Sequence, residues 1–176
     1  MPDTPLHVSE LPQNLCLTCG LCCNGVLFKD VVLQPADARS KLAKLGLPLR
    51  RGGRQDRFPQ PCAALEGCSC RIYTERPARC QQFECLLFQS VAQGQTTLPA
   101  ALRRVRQAQQ KAERVRRLLR ALGDVDETVA LSIRFRRMRV RFEKGLASAE
   151  DIDRFGELTL ATHDLNLLLS EAFYRA

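Results

Sequence analysis

Nine cysteines are the residues of this 176-residue sequence with the clearest capacity for chemistry. All of them lie between Cys16 and Cys85, and the second half of the chain has none. A disulfide framework would link the whole chain, whereas a metal centre gathers its ligands in one region. Thiolates are preferred ligands of zinc and of iron–sulfur clusters. The distribution therefore predicts metal ligation in the N-terminal half.

The first cysteine group is the segment CLTCGLCC, from Cys16 to Cys23. Spacers of two residues allow a tight turn to direct two sulfurs to one ion, and Gly20 relieves the backbone crowding of such a turn. Adjacent residues rarely point at the same ion. Cys22 and Cys23 are therefore expected to serve different ions, or different irons of a polynuclear cluster.

The second cysteine group extends from Cys62 to Cys85. Cys80 and Cys85 are five residues apart, which is about 140° around an unbroken helix. Two sulfurs on one zinc ion lie only about 3.8 Å apart. Either the helix breaks near Phe83, or these two cysteines serve different centres.

Cys80 is expected in the first turn of its helix, where free backbone N–H groups lower the pKa of a thiol. Arg76 and Arg79 add positive charge nearby. A lowered pKa suits a metal ligand and equally a nucleophile, so a redox role stays open. The Arg76-Pro77 step is expected to set a turn and to shield the charge of the cluster.

These residues resemble the CxxCxxCC zinc- or iron-chelating family, also called YkgJ-like cysteine-cluster proteins. The family pattern is CxxCxxCC, then Pro-Cys, then C-x-I-Y-x-x-R-P-x-x-C-x-x-F-x-C, and it matches residues 12–88, about half of the chain. Cys68 falls outside the pattern. The resemblance implies a metal centre but no particular reaction. It implies eight metal ligands: Cys16, Cys19, Cys22, Cys23, Cys62, Cys70, Cys80 and Cys85.

The expected cofactor is zinc or iron, because thiolate-only ligation suits zinc and iron–sulfur clusters alike. The spacing of Cys16, Cys19 and Cys22 matches the first three ligands of a ferredoxin-type run, but the fourth, a cysteine followed by proline, is missing nearby. A metal-chelating protein is the leading interpretation. The alternative is an iron–sulfur redox or electron-transfer protein.

No catalytic constellation is visible beyond the cysteine cluster. The sequence has no Ser-His-Asp, P-loop or GxGxxG signature. Its two histidines, His7 and His163, belong to no such set. Whether the protein is an enzyme is therefore left open.

The N-terminal elements are short and irregular. Residues 26–33 predict a strand or hairpin, residues 35–45 a helix ended by Gly46, residues 50–61 a loop, and residues 78–92 a helix that follows Pro77. Together they predict a small cysteine-cluster domain over residues 12–92, folded around its metal.

The C-terminal half predicts three helices, over residues 98–122, 126–144 and from Ser148 onward, where Asp151 completes a capping box. The short loops between them predict an antiparallel bundle over residues 97–174. The predicted fold is thus mainly α, with a small irregular metal-binding subdomain followed by an antiparallel three-helix bundle. The seam of the first helix includes Ala101, Val105, Ala108, Ala112, Val115 and Leu119.

The chain carries a net charge of +8, concentrated in the segments Arg103–Arg120 and Arg134–Lys144. A solvated helical face is the first interpretation. The alternative is a zinc-stabilised module that binds nucleic acid or an acidic protein. No apolar run approaches the roughly 18–20 residues of a membrane span, and residues 1–10 lack the apolar region of a signal peptide. We expect a cytoplasmic protein without membrane contact, whose candidate partners are metal ions, another protein and nucleic acid.

Overall fold

The computed structural model describes residues 11–53, 55–145 and 148–174. Within these ranges the chain forms seven α-helices and four short strands. The mainly helical class predicted from the sequence is confirmed.

The N-terminal elements are short, and two small antiparallel sheets connect them. Strand β1 pairs with β2, with Val31 opposite Phe58, and β3 pairs with β4, with Leu65 opposite Cys70. The elements are α1 (Leu11–Cys19), β1 (Asp30–Val32), α2 (Arg39–Lys44), β2 (Arg57–Pro59), β3 (Leu65–Glu66), β4 (Ser69–Cys70), a 3-10 helix (Tyr73–Glu75), α3 (Ala78–Gln82) and α4 (Leu86–Ala92).

Two sequence-based expectations for this region are wrong. Cys16 and Cys19 lie on helix α1 instead of a tight turn, and the turn begins only after Gly20, whose φ of 65° ends the helix. Residues 50–61 are also more than a loop, because they contain β2. Phe58 is buried there, and a bridge between Arg50 and Arg57 extends the pairing.

The helix predicted over residues 78–92 is broken near Phe83, which was one of the two alternatives. Phe83 is extended, with φ −76° and ψ 120°, and its ring lies edge-on to Phe28 with centroids 4.9 Å apart. A new helix starts after Cys85, whose sulfur accepts a hydrogen bond from the backbone N–H of Phe88 at 3.4 Å. This cap stabilises the N-terminus of the second helix and so favours the interruption at Phe83.

The C-terminal helices are α5 (Leu98–Ala121), α6 (Leu131–Glu143) and α7 (Ala149–Ala172). The cap predicted at Ser148 is confirmed, since its hydroxyl accepts from the Asp151 N–H. Helix α6 begins five residues later than predicted from Asp126. The buried guanidinium of Arg134 holds the preceding loop instead, because it donates to the Asp124 carboxylate and carbonyl, both at 2.8 Å.

Most of the buried apolar side chains belong to one larger core built from α1, α4, α5, α6 and α7. The predicted seam of α5 is confirmed, because all six of its members named above are buried there. Helix α5 packs along α7, and the Phe142 ring of α6 stacks on Phe155 of α7 at 4.2 Å. Both predicted domains contribute to this core through residues such as Leu15 and Val105. The boundary between residues 92 and 97 stays a prediction.

A smaller core lies under the β1–β2 sheet, helix α2 and the β3–β4 hairpin. Its buried members are Val31, Leu33, Leu42, Leu47, Phe58, Ala64 and Ile72.

In the part of the chain that the structure describes, no helix combines the length and the apolar character that crossing a bilayer requires.

Candidate metal centre

A cavity of about 610 Å³ lies between the larger and the smaller core. Its walls include Leu15 and Leu87 from the larger core and Phe58 and Ile72 from the smaller one. All nine cysteines line it, so the eight predicted ligands and Cys68 share one cavity. The fold thus brings together thiols that the sequence spreads over residues 16–85.

The thiols are gathered but not yet in ligating positions. Among the described residues, no three His, Cys, Asp or Glu side chains stand close enough together to hold a metal ion. No disulfide joins the cysteines either, and all nine are free thiols. The predicted ligand set therefore stays a prediction.

Helix α1 and the turn that follows it position the first cysteine group. Cys16 and Cys19 are three residues apart in a helix and so share one face. Gly20 then reverses the chain, and its carbonyl accepts from the N–H of Cys23 at 2.9 Å. This turn places Cys22 and Cys23 directly beyond the end of α1.

Backbone hydrogen bonds attach the second group to the first. The N–H of Cys62 donates to the carbonyl of Cys23 at 2.7 Å. The carbonyl of Cys62 accepts from Leu65, which lies opposite Cys70 in the β3–β4 hairpin. Cys23, Cys62 and Cys70 are thus neighbours through the main chain, independently of any side-chain rotamer.

Burial controls the protonation of these thiols. Burial is the largest cause of each shift in pKa, and neighbouring thiolates add to it except at Cys85, where Glu84 does so. Burial raises the pKa of Cys16 to about 11 and those of Cys19, Cys23 and Cys80 to about 12, and it raises those of Cys22, Cys62 and Cys85 as well. In the metal-free protein these groups are protonated at neutral pH.

The lowered pKa expected for Cys80 is therefore wrong. Burial and the nearby Cys23 and Cys62 raise the pKa of Cys80 to about 12, although Arg76 acts in the opposite direction. Helix α3 has only five residues, so its N-terminus contributes little. The raised pKa therefore disfavours a nucleophilic role for Cys80.

Arg76 is a cation of the cavity wall that influences three of the thiols. Its guanidinium carbon lies 3.7 Å from the centroid of the Tyr73 ring, and its Nε donates to the Tyr73 carbonyl at 2.8 Å. It lowers the pKa of Cys16, Cys23 and Cys80 against the effect of burial. The expectation that the Arg76-Pro77 step shields the charge of a metal cluster stays a prediction.

Two glutamines at the site were not foreseen from the sequence. Gln60 is 2 % exposed and lines the cavity, and its side-chain oxygen has no hydrogen-bond partner among the described residues. Gln109, on α5, donates to the carbonyl of Cys19 at 3.0 Å and lies 3.9 Å from the sulfur of Cys68. Only the position of Gln60 beside Pro61-Cys62 hinted at its role. His163 is exposed on α7, and His7 lies outside the described residues.

The composition of the walls fits a soft metal. Nine thiols outnumber the two carboxylates, Asp30 and Glu84, on the same surface, and thiolate sulfur is the donor that zinc and iron–sulfur clusters prefer.

Comparison of the chain with models of known protein families, with curated proteins and with solved structures finds no match in any of the three. The resemblance to the CxxCxxCC proteins rests on the residues quoted above, and it stays a hypothesis.

Proposed function

We propose that this protein binds zinc or iron through eight cysteine thiolates that line the cavity. One observation carries the proposal. Cysteines from five stretches of the sequence, residues 16–23, 62, 68–70, 80 and 85, line one space between two hydrophobic cores. Cysteines that served only as small apolar residues would instead be scattered through the cores. The proposed ligands are Cys16, Cys19, Cys22, Cys23, Cys62, Cys70, Cys80 and Cys85.

Metal binding would draw the cavity walls together. Since no three thiols in the described part of the chain stand at ligating distance, binding would require side-chain rotations and a contraction around the ion, where sulfur lies about 2.3 Å from zinc. The metal would also displace protons from buried thiols. Affinity is therefore expected to rise with pH.

We propose in addition that the chain is divided into a metal-dependent part and a helical bundle. The metal-binding part, residues 12–92, would form a subdomain that depends on its metal, and residues 97–174 would form an antiparallel three-helix bundle. The contact of α5 with α7 and the ion pair between Lys111 and Asp164 support this arrangement.

The test is metal and acid-labile sulfide analysis of protein purified without oxygen. We expect zinc or iron to remain bound after desalting, and a variant with Cys19→Ser and Cys62→Ser to retain far less. Sulfide and a brown colour would identify the iron–sulfur alternative. A wild-type protein that holds no metal, even after incubation with zinc or with iron and sulfide, would contradict the proposal.

The outer face of α5 supports a second candidate, binding of a nucleic acid. Arg103, Arg106, Arg114 and Arg117 are exposed opposite the buried seam. Within the described ranges no ion pair joins them to a carboxylate, whereas the nearby Arg120 pairs with Glu113. The four guanidinium groups extend along about 21 Å of helix with no aromatic residue between them, which suits phosphates better than a protein surface.

Salt dependence tests this candidate. Affinity for duplex and single-stranded nucleic acid is expected to fall steeply between about 50 and 200 mM salt, and each Arg→Gln change on the outer face should reduce the slope by roughly one. Arg50→Gln and Arg51→Gln, which are exposed elsewhere, form the charge-matched control. Absence of binding at the lower salt concentration removes nucleic acid as a partner.

A further inference from the structure

The two hydrophobic cores divide the cysteines between them. Cys19 belongs to the larger core, and Cys22 and Cys85 pack against it. Three other cysteines pack against the smaller core, and these are Cys62, Cys70 and Cys80. Each core therefore presents its own set of thiols to the cavity.

Main-chain geometry assigns the two remaining motif cysteines. Cys16 shares the helical face of Cys19 on α1 and so belongs with the larger core. Cys23 accepts the 2.7 Å hydrogen bond from the N–H of Cys62 and so belongs with the smaller one. Each core then has four thiols.

We infer that the cavity holds two separate metal centres, each with four thiolates of its own. This inference rests on the proposed function. The first centre would be held by Cys16, Cys19, Cys22 and Cys85. The second centre would be held by Cys23, Cys62, Cys70 and Cys80.

Four thiolates complete the coordination of one zinc ion or of one iron–sulfur cluster, so neither centre needs to share a ligand. The adjacent Cys22 and Cys23 go to different centres, as do Cys80 and Cys85 on the two sides of the helix break. The break thus directs α3 to the smaller core and α4 to the larger one.

Arg76 lines the same cavity, and its guanidinium donates to the carbonyl of Cys80 at 3.5 Å. A zinc ion with four thiolates carries a net charge of about −2, so two such centres in one cavity would repel each other. A guanidinium on the cavity wall would reduce this repulsion.

The experiment counts metal per chain by native mass spectrometry in serine variants of the two adjacent cysteines. Cys22→Ser should lose the metal of the first centre and Cys23→Ser that of the second, so each retains about half of the wild-type content. Adding Cys85→Ser to Cys22→Ser should cost nothing further, whereas the variant with both Cys22→Ser and Cys23→Ser should hold almost none. Cys68→Ser is the control and should keep the full content.

Loss of all metal from either single variant would overturn the inference in favour of one shared cluster. Half-loss with any other grouping of the eight cysteines would also overturn it. A wild type without metal would instead contradict the proposed function, so the two failures are distinct. If a variant does not fold, alkylation of partly chelated wild type decides: the four cysteines of one centre should become reactive together, before or after the other four.

Discussion

At the scale of single residues, burial dominates the behaviour of the cysteine thiols. The arginine near Cys80 is visible in the sequence, and it does act on the thiol in the expected direction. The amount of surface that the fold removes from water is not visible there, because it depends on two cores assembled from distant segments. The ligand types could be predicted from the sequence, but their protonation could not.

The raised thiol pKa values make the metal-free protein sensitive to alkali. Thiols of an unfolded chain titrate near pH 8.5, whereas folding raises the pKa of Cys16 to about 11 and that of Cys19 to about 12. The folded state holds these protons more tightly, so its extra stability is present below about pH 8.5 and is lost as the pH rises through the folded values. The unfolding free energy of reduced, chelated protein should fall continuously between about pH 8.5 and 10.5.

The metal-loaded protein is the control for this titration. Its ligands have already lost their protons, so the fall attributed to them should be absent. A metal-free protein whose unfolding free energy stayed level or increased over the same range would show that the thiols are not buried as described.

Arg76 offers a second test at this scale. Arg76→Gln removes the charge that opposes burial at Cys16, Cys23 and Cys80. Metal affinity at neutral pH, measured by competition with a chromophoric chelator, should weaken by about tenfold, the lower end of the effect of residues that support metal ligands. Arg76→Lys should recover part of the loss. Arg79→Gln is the matched control on the same cavity wall. An equal loss of metal affinity in both variants would mean that only the total positive charge matters and that Arg76 has no specific role.

At the scale of elements, local patterns predicted helices well where tertiary contacts agreed with them. The seam of α5 and the cap of α7 follow directly from residue spacing. The late start of α6 does not, because a buried pair between Arg134 and Asp124 fixes the loop before it. Strand β2 was missed for a similar reason, since only its partner β1 makes an extended conformation favourable.

Gly25 lies where the loop after the first cysteine group meets the start of α6, and a side chain there should be costly. Its φ is 78°, its carbonyl accepts from the N–H of Leu131 at 2.9 Å, and a Cβ there would lie 3.0 Å from the Cα of Ala130. Gly94 has a similar φ of 70° but nothing within 4 Å of an added Cβ. Gly94→Ala should cost about 1 kcal/mol of unfolding free energy for the left-handed conformation alone.

Gly25→Ala should cost distinctly more, about 2–3 kcal/mol, because the close backbone contact adds to the same conformational penalty. Urea unfolding of the two variants measures the difference directly. Equal losses would mean that the loop after the first cysteine group is not fixed against the start of α6.

At the scale of the whole molecule, one core joins the first cysteine group to the C-terminal helices. Helices α5 and α7, each of 24 residues, pack on one another without involving the cavity for most of their length. Metal removal is therefore expected to have a graded effect. The cysteine region should loosen, while these two helices persist.

Hydrogen exchange with and without a strong chelator measures this gradient. Protection should be lost over residues 12–92, where ligation free energy contributes to folding, and largely retained in α5 and α7. Cys68→Ser, outside the ligand set, should respond to chelation as the wild type does. Uniform loss along the chain would show that metal and bundle form one cooperative unit, and no change at all would mean that the metal does not organise the fold.

X-ray absorption at the zinc or iron edge tests ligation by the cysteine thiolates directly, since it identifies the atoms bound to the metal. We predict a first shell made only of sulfur, about four atoms at about 2.3 Å, with additional iron–iron scattering if the metal is a cluster. Each single ligand variant, such as Cys70→Ser, should lose metal or gain a lighter neighbour in that shell. A wild-type spectrum dominated by nitrogen or oxygen at about 2.0–2.2 Å would place the metal outside the cysteine cavity and contradict the account.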